Sequence, residues 1–320
     1  MTDLVWETSP PPILHRPVMV VAFAGLFDAA GVSAAALDWL VGARAIETVA
    51  GIDPDGFFDF SQHRPQVHID EDDERIISWP ENEFVVVRAS GAARDLIVLN
   101  GEEPDVRWRH FAEAVLEVAT TLGCETVVTV GGVPEGIPHT RTPQVFGSTT
   151  TPGLAARLGL SRPQYQGPTG VVGVIHDQLE TAGIPAIALR VGVPHYLGNA
   201  KHPKSTAALL RHLEHVLGFP TRHGELSGEV ERWSALHDEA IASDPRASAF
   251  VAMLEREWDR RAELSVPTAD DLGAAFEEFL REARGSGDGP PEPGGPAEPD
   301  PDPGPEPDPG PEPDPGPGPA

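Results

Sequence analysis

The chain is predicted to form an open α/β sheet with helices packed on both faces, and three observations predict it. Short unbroken apolar runs, such as Val18–Ala24 (VMVVAFA) and residues 96–99 (LIVL), have the composition of strands buried on both sides. These runs alternate with stretches whose apolar residues recur at helical spacing, so parallel pairing through crossover helices is the economical topology. Each run passes into a glycine, at Gly25, Gly101, Gly131 and Gly192, where a strand is expected to hand over to a loop.

Taken in order, Val18–Ala24 is bounded by Pro17 and Gly25. Asp28 is placed to cap a helix starting near Ala29, with Leu37, Leu40 and Val41 inward. Residues 46–50 form a second strand. Gln66–Ile69, 75–79 and 84–89 read as short strands with acidic turns, residues 71–74 being a solvated hairpin tip, and they make the sheet mixed. The 96–99 strand precedes a helix over 104–121, with Trp108, Phe111, Val115, Leu116 and Ala119 on one face. Residues 126–130 form a strand and 151–158 a short helix. Thr169 is placed to cap a helix to about Ala182, which Gly183 and Pro185 stop. Residues 186–191 are the last buried strand, and Pro203 opens a helix to Leu217.

After Phe219 three amphipathic helices are expected, at 228–243, 246–263 and 270–283. From Gly285 onward only Gly, Ser, Asp, Pro, Glu and Ala occur, so nothing offsets the cost of ordering the backbone. The expected division is an α/β core domain over 1–222, a helical C-terminal subdomain or arm over 223–284, and a disordered Pro/Gly/acidic tail over 285–320. An arm would bury aromatic anchors such as Trp233 and Trp258 against another subunit.

The formal net charge is −27, and the nine acids after Gly285 leave −18 on residues 1–284. A strongly acidic chain lacks the Lys/Arg stripe that nucleic acid or anionic lipid requires, so neither is an expected partner. Cys124 is the only cysteine, which excludes an internal disulfide and a Cys-based zinc site. The start, MTDLVWETSPPP, has no basic region followed by an apolar core, and no apolar run approaches the roughly 20 residues that span a bilayer. A cytoplasmic, membrane-free protein is expected.

Asp28, Glu102, His139 with Arg141, and His195 with Tyr196 lie shortly beyond the four glycines. If the strands are parallel, these side chains converge on one rim and form a candidate pocket for anion binding or acid–base work. The alternative is that Asp28 only caps, Glu102 pairs with Arg107 or Arg109, and the histidines hold loops. Ser148, Thr149 and Thr150 precede a helix and are candidates for cradling an anion, with ordinary capping as the alternative. No Walker loop and no GxGxxG after a strand is present, and no cofactor is expected. The GVSAA segment at Ser33 lacks the last glycine of a nucleophile elbow. His212 and His215 have no third ligand, so no metal is expected.

Several ordered motifs then resemble a known family. FDAAGVSAAALDWL, FFDF with HRP, GEEPDVRWRHF, PHTRT, YQGPTGVVGVIHD, VPHYLG and DDLGAAFEEFLRE resemble the bacterial, and most nearly the actinobacterial, branch of the proteasome assembly chaperone family, a branch of unknown function. The likeness spans about residues 13–284. It implies a three-layer α/β/α core with a mixed, mostly parallel sheet, similar to phosphorylase/hydrolase-like folds. It also implies self-association as a trimer or dimer and a protein partner linked to protein turnover. Some relatives dock through a C-terminal hydrophobic–Tyr–any-residue motif, whereas this chain ends Gly-Pro-Gly-Pro-Ala. The expected function is a non-enzymatic oligomeric binding or assembly protein. The alternative is a small-molecule hydrolase or phosphorylase-like enzyme using the pocket at the strand C-terminal ends.

Overall fold

One strand explains why the sheet lies between two helical layers. In the computed structural model, which describes residues 3–265 apart from Ala43, Glu71, Asp72, Ser90 and Asn199, Val18–Ala24 sends Met19, Val21 and Phe23 into one apolar cluster and Val18, Val20 and Ala22 into another. A strand with a core on each side has no polar face, so the run is apolar without alternation.

In chain order the elements are β1 (Leu4–Trp6), β2 (Val18–Ala24), α1 (Val32–Val41), β3 (Ile46–Ile52), β4 (Gln66–Ile69), β5 (Arg75–Ser78), β6 (Glu83–Val87), β7 (Leu96–Glu102), α2 (Trp108–Thr121), β8 (Thr126–Glu135), β9 (Val145–Ser148), α3 (Pro152–Leu158), α4 (Val171–Thr181), β10 (Ala186–Pro194), α5 (Pro203–Leu217), α6 (Ser227–Ala242) and α7 (Pro245–Ser265). Among the described residues the main sheet has eight strands in the order β1-β3-β6-β7-β2-β8-β10-β9. Its centre is a parallel block, β7-β2-β8-β10, and antiparallel pairs flank it on both sides. Followed through these pairings, five of the eight strands run the same way, so the sheet is mixed and mostly parallel.

Helices α2 and α4 cover one face through Phe111, Val115, Val171 and Ile175. Helices α1 and α5 cover the other through Leu37, Leu40, Leu210 and Leu213. Strands β4 and β5 pair only with each other, as a hairpin outside the main sheet. Helices α6 and α7 fall in the same compact unit as the sheet, Met1–Glu263. The expected third helix at 270–283 and the tail lie outside the described residues. Among those residues, no helix is long and apolar enough to cross a membrane.

The structure corrects several expectations. Only Gly25 ends its strand; β7, β8 and β10 run on past Gly101, Gly131 and Gly192. These glycines mark close approach instead. A Cβ on Gly131 would stand 2.7 Å from the Phe27 carbonyl oxygen, and one on Gly132 3.0 Å from that of Ala29. The first helix begins at Val32, after a 3-10 turn at Ala29–Gly31 whose Ala30 and Gly31 have φ of 57° and 64°. Helix α2 starts at Trp108, not Pro104, because Arg107 is left-handed with φ 57°. Gly170, not Thr169, occupies the cap position of α4.

Candidate functional site

Because β7, β2, β8 and β10 are parallel, their trailing loops share one edge of the sheet. The six rim residues do lie along that edge, but they do not form one open pocket. Asp28 sits opposite Gly132 in an isolated parallel bridge. Its Oδ1 accepts from the Ser33 N–H at 2.7 Å and the Ser33 hydroxyl at 2.6 Å, so it secures the first turn of α1. Glu102 is the last residue of β7 and half-buried, and Arg107 pairs with Asp3 at 2.8 Å. The carboxylate that turns into the crevice is its neighbour Glu103, which accepts the Leu26 N–H at 3.2 Å; a Cβ on Gly25 or Gly170 would meet it.

The other four residues meet under helices α6 and α7. His139 follows β8 and is 1 % exposed. Tyr196 Oη, from the turn after β10, accepts the His139 backbone N–H at 2.7 Å and lies 2.6 Å from its Nδ1. The Tyr196 proton therefore goes to Nδ1, which assigns the ring proton to Nε2, and Nε2 donates it to Asp238 of α6 at 3.1 Å. Burial pushes the His139 imidazole below its ordinary value and the Tyr196 phenol up to about 12, so both are neutral at pH 7. Lys204 donates to the His139 carbonyl at 2.6 Å.

Arg141 is spent on α7. Its Nε and Nη2 donate to Asp259 at 2.9 and 2.8 Å, and its Nη1 to Glu255 at 3.2 Å; Thr140 donates to the same Glu255 at 2.6 Å. The Asp259 pair is a two-pronged guanidinium–carboxylate contact, the geometry that fixes orientation best. His195 holds the Glu135 carbonyl through Nδ1 at 2.9 Å and stands edge-on to Phe250 of α7. Trp233 of α6 stacks on His237 and meets His139 and His202 edge-on, so this aromatic is used within the chain's own core. The rim under α6 and α7 is an ion-paired seam, with His139 buried beneath it and Arg141 and Asp259 partly exposed. Arg141→Ala is expected to speed amide exchange in α7 several-fold while leaving that in α2 unchanged, as read by hydrogen exchange with mass spectrometry; equal protection in both proteins would refute this.

Within the Ser148–Thr150 cradle, Thr149 is committed to the chain itself. The Thr149 hydroxyl donates to the Ala186 carbonyl at 2.7 Å, and its N–H to Ser161 at 3.0 Å. No group of three or more His, Cys, Asp or Glu among the described residues could hold a metal ion. Cys124 is buried, which raises its thiol to about 12.

Asp238, Glu255, Asp259 and Glu103 were not legible as site residues. The i, i+4 spacing of Glu255 and Asp259 puts both on one helix face, but nothing local names the loop more than a hundred residues away that receives them.

Fold and rim together define a class: a three-layer α/β/α protein whose parallel strands end beneath two helices of the same chain. The chain matches the PAC2 family over residues 22–241, and it belongs to that family. Among solved structures, a PAC2 family protein from Streptomyces avermitilis is 37% identical, with a TM-score of 0.68 over 73% of this chain and 99% of that one. A proteasome-assembly chaperone homologue from Mycobacterium tuberculosis is 33% identical, with a TM-score of 0.67 over 73% of this chain and 99% of that one. An archaeal proteasome activator from Pyrococcus furiosus shares the fold at 16% identity, with a TM-score of 0.58 over 75% and 99% of the two chains. No curated protein matches the chain in sequence.

Proposed function

We propose that this chain is a non-enzymatic, self-associating binding or assembly protein that acts in the cytoplasm with a partner linked to protein turnover. The observation that carries this reading is the ion-paired seam. His139, Arg141 and Tyr196, the best-placed groups for acid–base or anion chemistry, are bound to Asp238, Glu255 and Asp259 of the chain itself. The rival reading, a hydrolase or phosphorylase-like enzyme, needs those same side chains free to reach a substrate. The solved relatives described as a proteasome-assembly chaperone homologue and a proteasome activator support a partner of that kind.

The β4–β5 hairpin supports self-association. Val67, Ile69 and Ile77 share one of its faces and are 52%, 60% and 45% exposed. A lone two-stranded hairpin is marginal in water, and a contiguous apolar patch on it favours a covering surface. Sedimentation at tens of micromolar is expected to give a dimer or trimer. The pair Val67→Lys with Ile77→Glu keeps an attractive cross-strand contact but removes the apolar surface, and is expected to reduce the mass to one chain. A wild-type monomer, or a pull-down from the native host that recovers no reproducible partner, would overturn the reading.

A further inference from the structure

Arg190 is a half-buried cation with no carboxylate partner among the described residues. It lies inside β10, opposite Gly131 of β8 and Phe146 of β9. Its guanidinium sits over the Phe27 ring, 5.3 Å from the centroid, and Nη1 donates to the Thr129 and Leu189 carbonyls at 3.2 and 2.8 Å. Among the described residues no acid pairs with it, and the hydrogen bonds it donates within the chain come from Nη1. Burial lowers it only to about 10, so it remains charged at neutral pH. A largely desolvated guanidinium that meets only carbonyl dipoles has room for a counter-charge from outside the chain.

The same side chain opens onto a cleft of about 450 Å³, lined also by Ser148, Arg162, Tyr165 and Phe146. The cleft wall holds two arginines and no acid, in a chain of formal net charge −27. Arg162 is exposed and makes no ion pair among the described residues. The nearby His176, 2.9 Å from the Thr129 hydroxyl, is neutral because burial takes it down to about 4, so no further charge competes at this spot. Phe146 and Tyr165 are 49% and 74% exposed on the cleft side of the sheet, giving apolar surface beside the two cations.

We infer that this cleft binds an anion, a carboxylate or phosphate group carried on a flat apolar body. The free edge of the Arg190 fork receives two oxygens of the anion, and Arg162 adds a second charge from the facing loop. The apolar body rests against Phe146 and Tyr165. The hydroxyl-rich turn expected to cradle an anion thus contributes only Ser148 to a site organised by an arginine inside a strand.

The test uses the full chain with phenyl phosphate and, separately, benzoate, against sodium chloride of equal ionic strength. At least one probe is expected to raise the melting temperature saturably, by about 5–10 °C at a hundred times its dissociation constant. The probe that binds more tightly by calorimetry identifies the preferred oxyanion. Arg190→Met is expected to abolish the response while melting at or above the wild-type temperature, because it removes an uncompensated charge. Arg162→Ala, at an exposed position, is expected to weaken binding about tenfold and decides the matter if Arg190→Met does not fold. No shift beyond sodium chloride with either probe, or an unchanged affinity in Arg162→Ala, overturns the inference.

Discussion

Lowering the pH from 8 to 5 is expected to remove about 4 kcal/mol of folding stability, most of it through two histidines. Burial takes His176 down to about 4 and His202 to about 3, against about 6.5 for an unfolded histidine. His202 caps α5 by accepting the Ser205 N–H on Nδ1 at 3.1 Å, and its Nε2 is buried without a partner. Lys204, His237 and His139 all oppose its charging. The neutral ring is the folded form, so between the folded value and 6.5 the unfolded chain binds more protons. Stability is therefore complete above about pH 7 and falls as the pH drops, each histidine contributing about 2 kcal/mol by pH 5. His139 and His212 shift in the same direction. Glu83 and Glu135, raised by burial, act oppositely but are substantially solvated. Urea denaturation at the two pH values checks this. His202→Asn retains a good capping group and is expected to recover about half of the loss. Identical midpoints at pH 8 and pH 5 would show the account to be wrong.

Phe111→Ala is expected to cost about 3–5 kcal/mol and to lower the melting temperature by about 10 °C or more. Phe111 is fully buried, and its ring meets Phe23 of β2 edge-on at 5.6 Å and Phe57 at 5.4 Å. It thus ties α2 both to the sheet and to the turn before β4, and its removal leaves a cavity between them. Urea unfolding measures the loss directly. Phe111→Leu, which leaves a smaller hole, is expected to fall between the two, and a loss below about 1 kcal/mol in the alanine variant would contradict the packing argument.

Much of the fold was legible because burial on two faces writes a strong pattern. Val18–Ala24 and the helix from Pro203 to Leu217 were readable to the residue, since a proline or glycine brackets each. Boundaries slipped where backbone conformation, not hydropathy, decides them. The left-handed Arg107 delays α2, and Ala30 with Gly31 delays α1. The glycines misled for a related reason: at Gly131 and Gly132 they admit a neighbouring backbone, a need that no hydropathy pattern records. The candidate site was half legible. Parallel strands imply a shared rim, which is local knowledge summed. That α6 and α7 would bind His139 and Arg141 depends on pairs about a hundred residues apart, and sequence gives no register for them. Arg190 was hidden for the opposite reason, as a charge inside a run otherwise read as apolar.

The outermost strands of the main sheet are also its shortest, three residues in β1 and four in β9. Each offers too few unpaired amides to template a neighbour, so one molecule cannot readily prolong its hydrogen-bonded ladder into the next. Contacts between copies along these two edges would therefore rest on side chains, which makes them sensitive to single substitutions, unlike fibre growth.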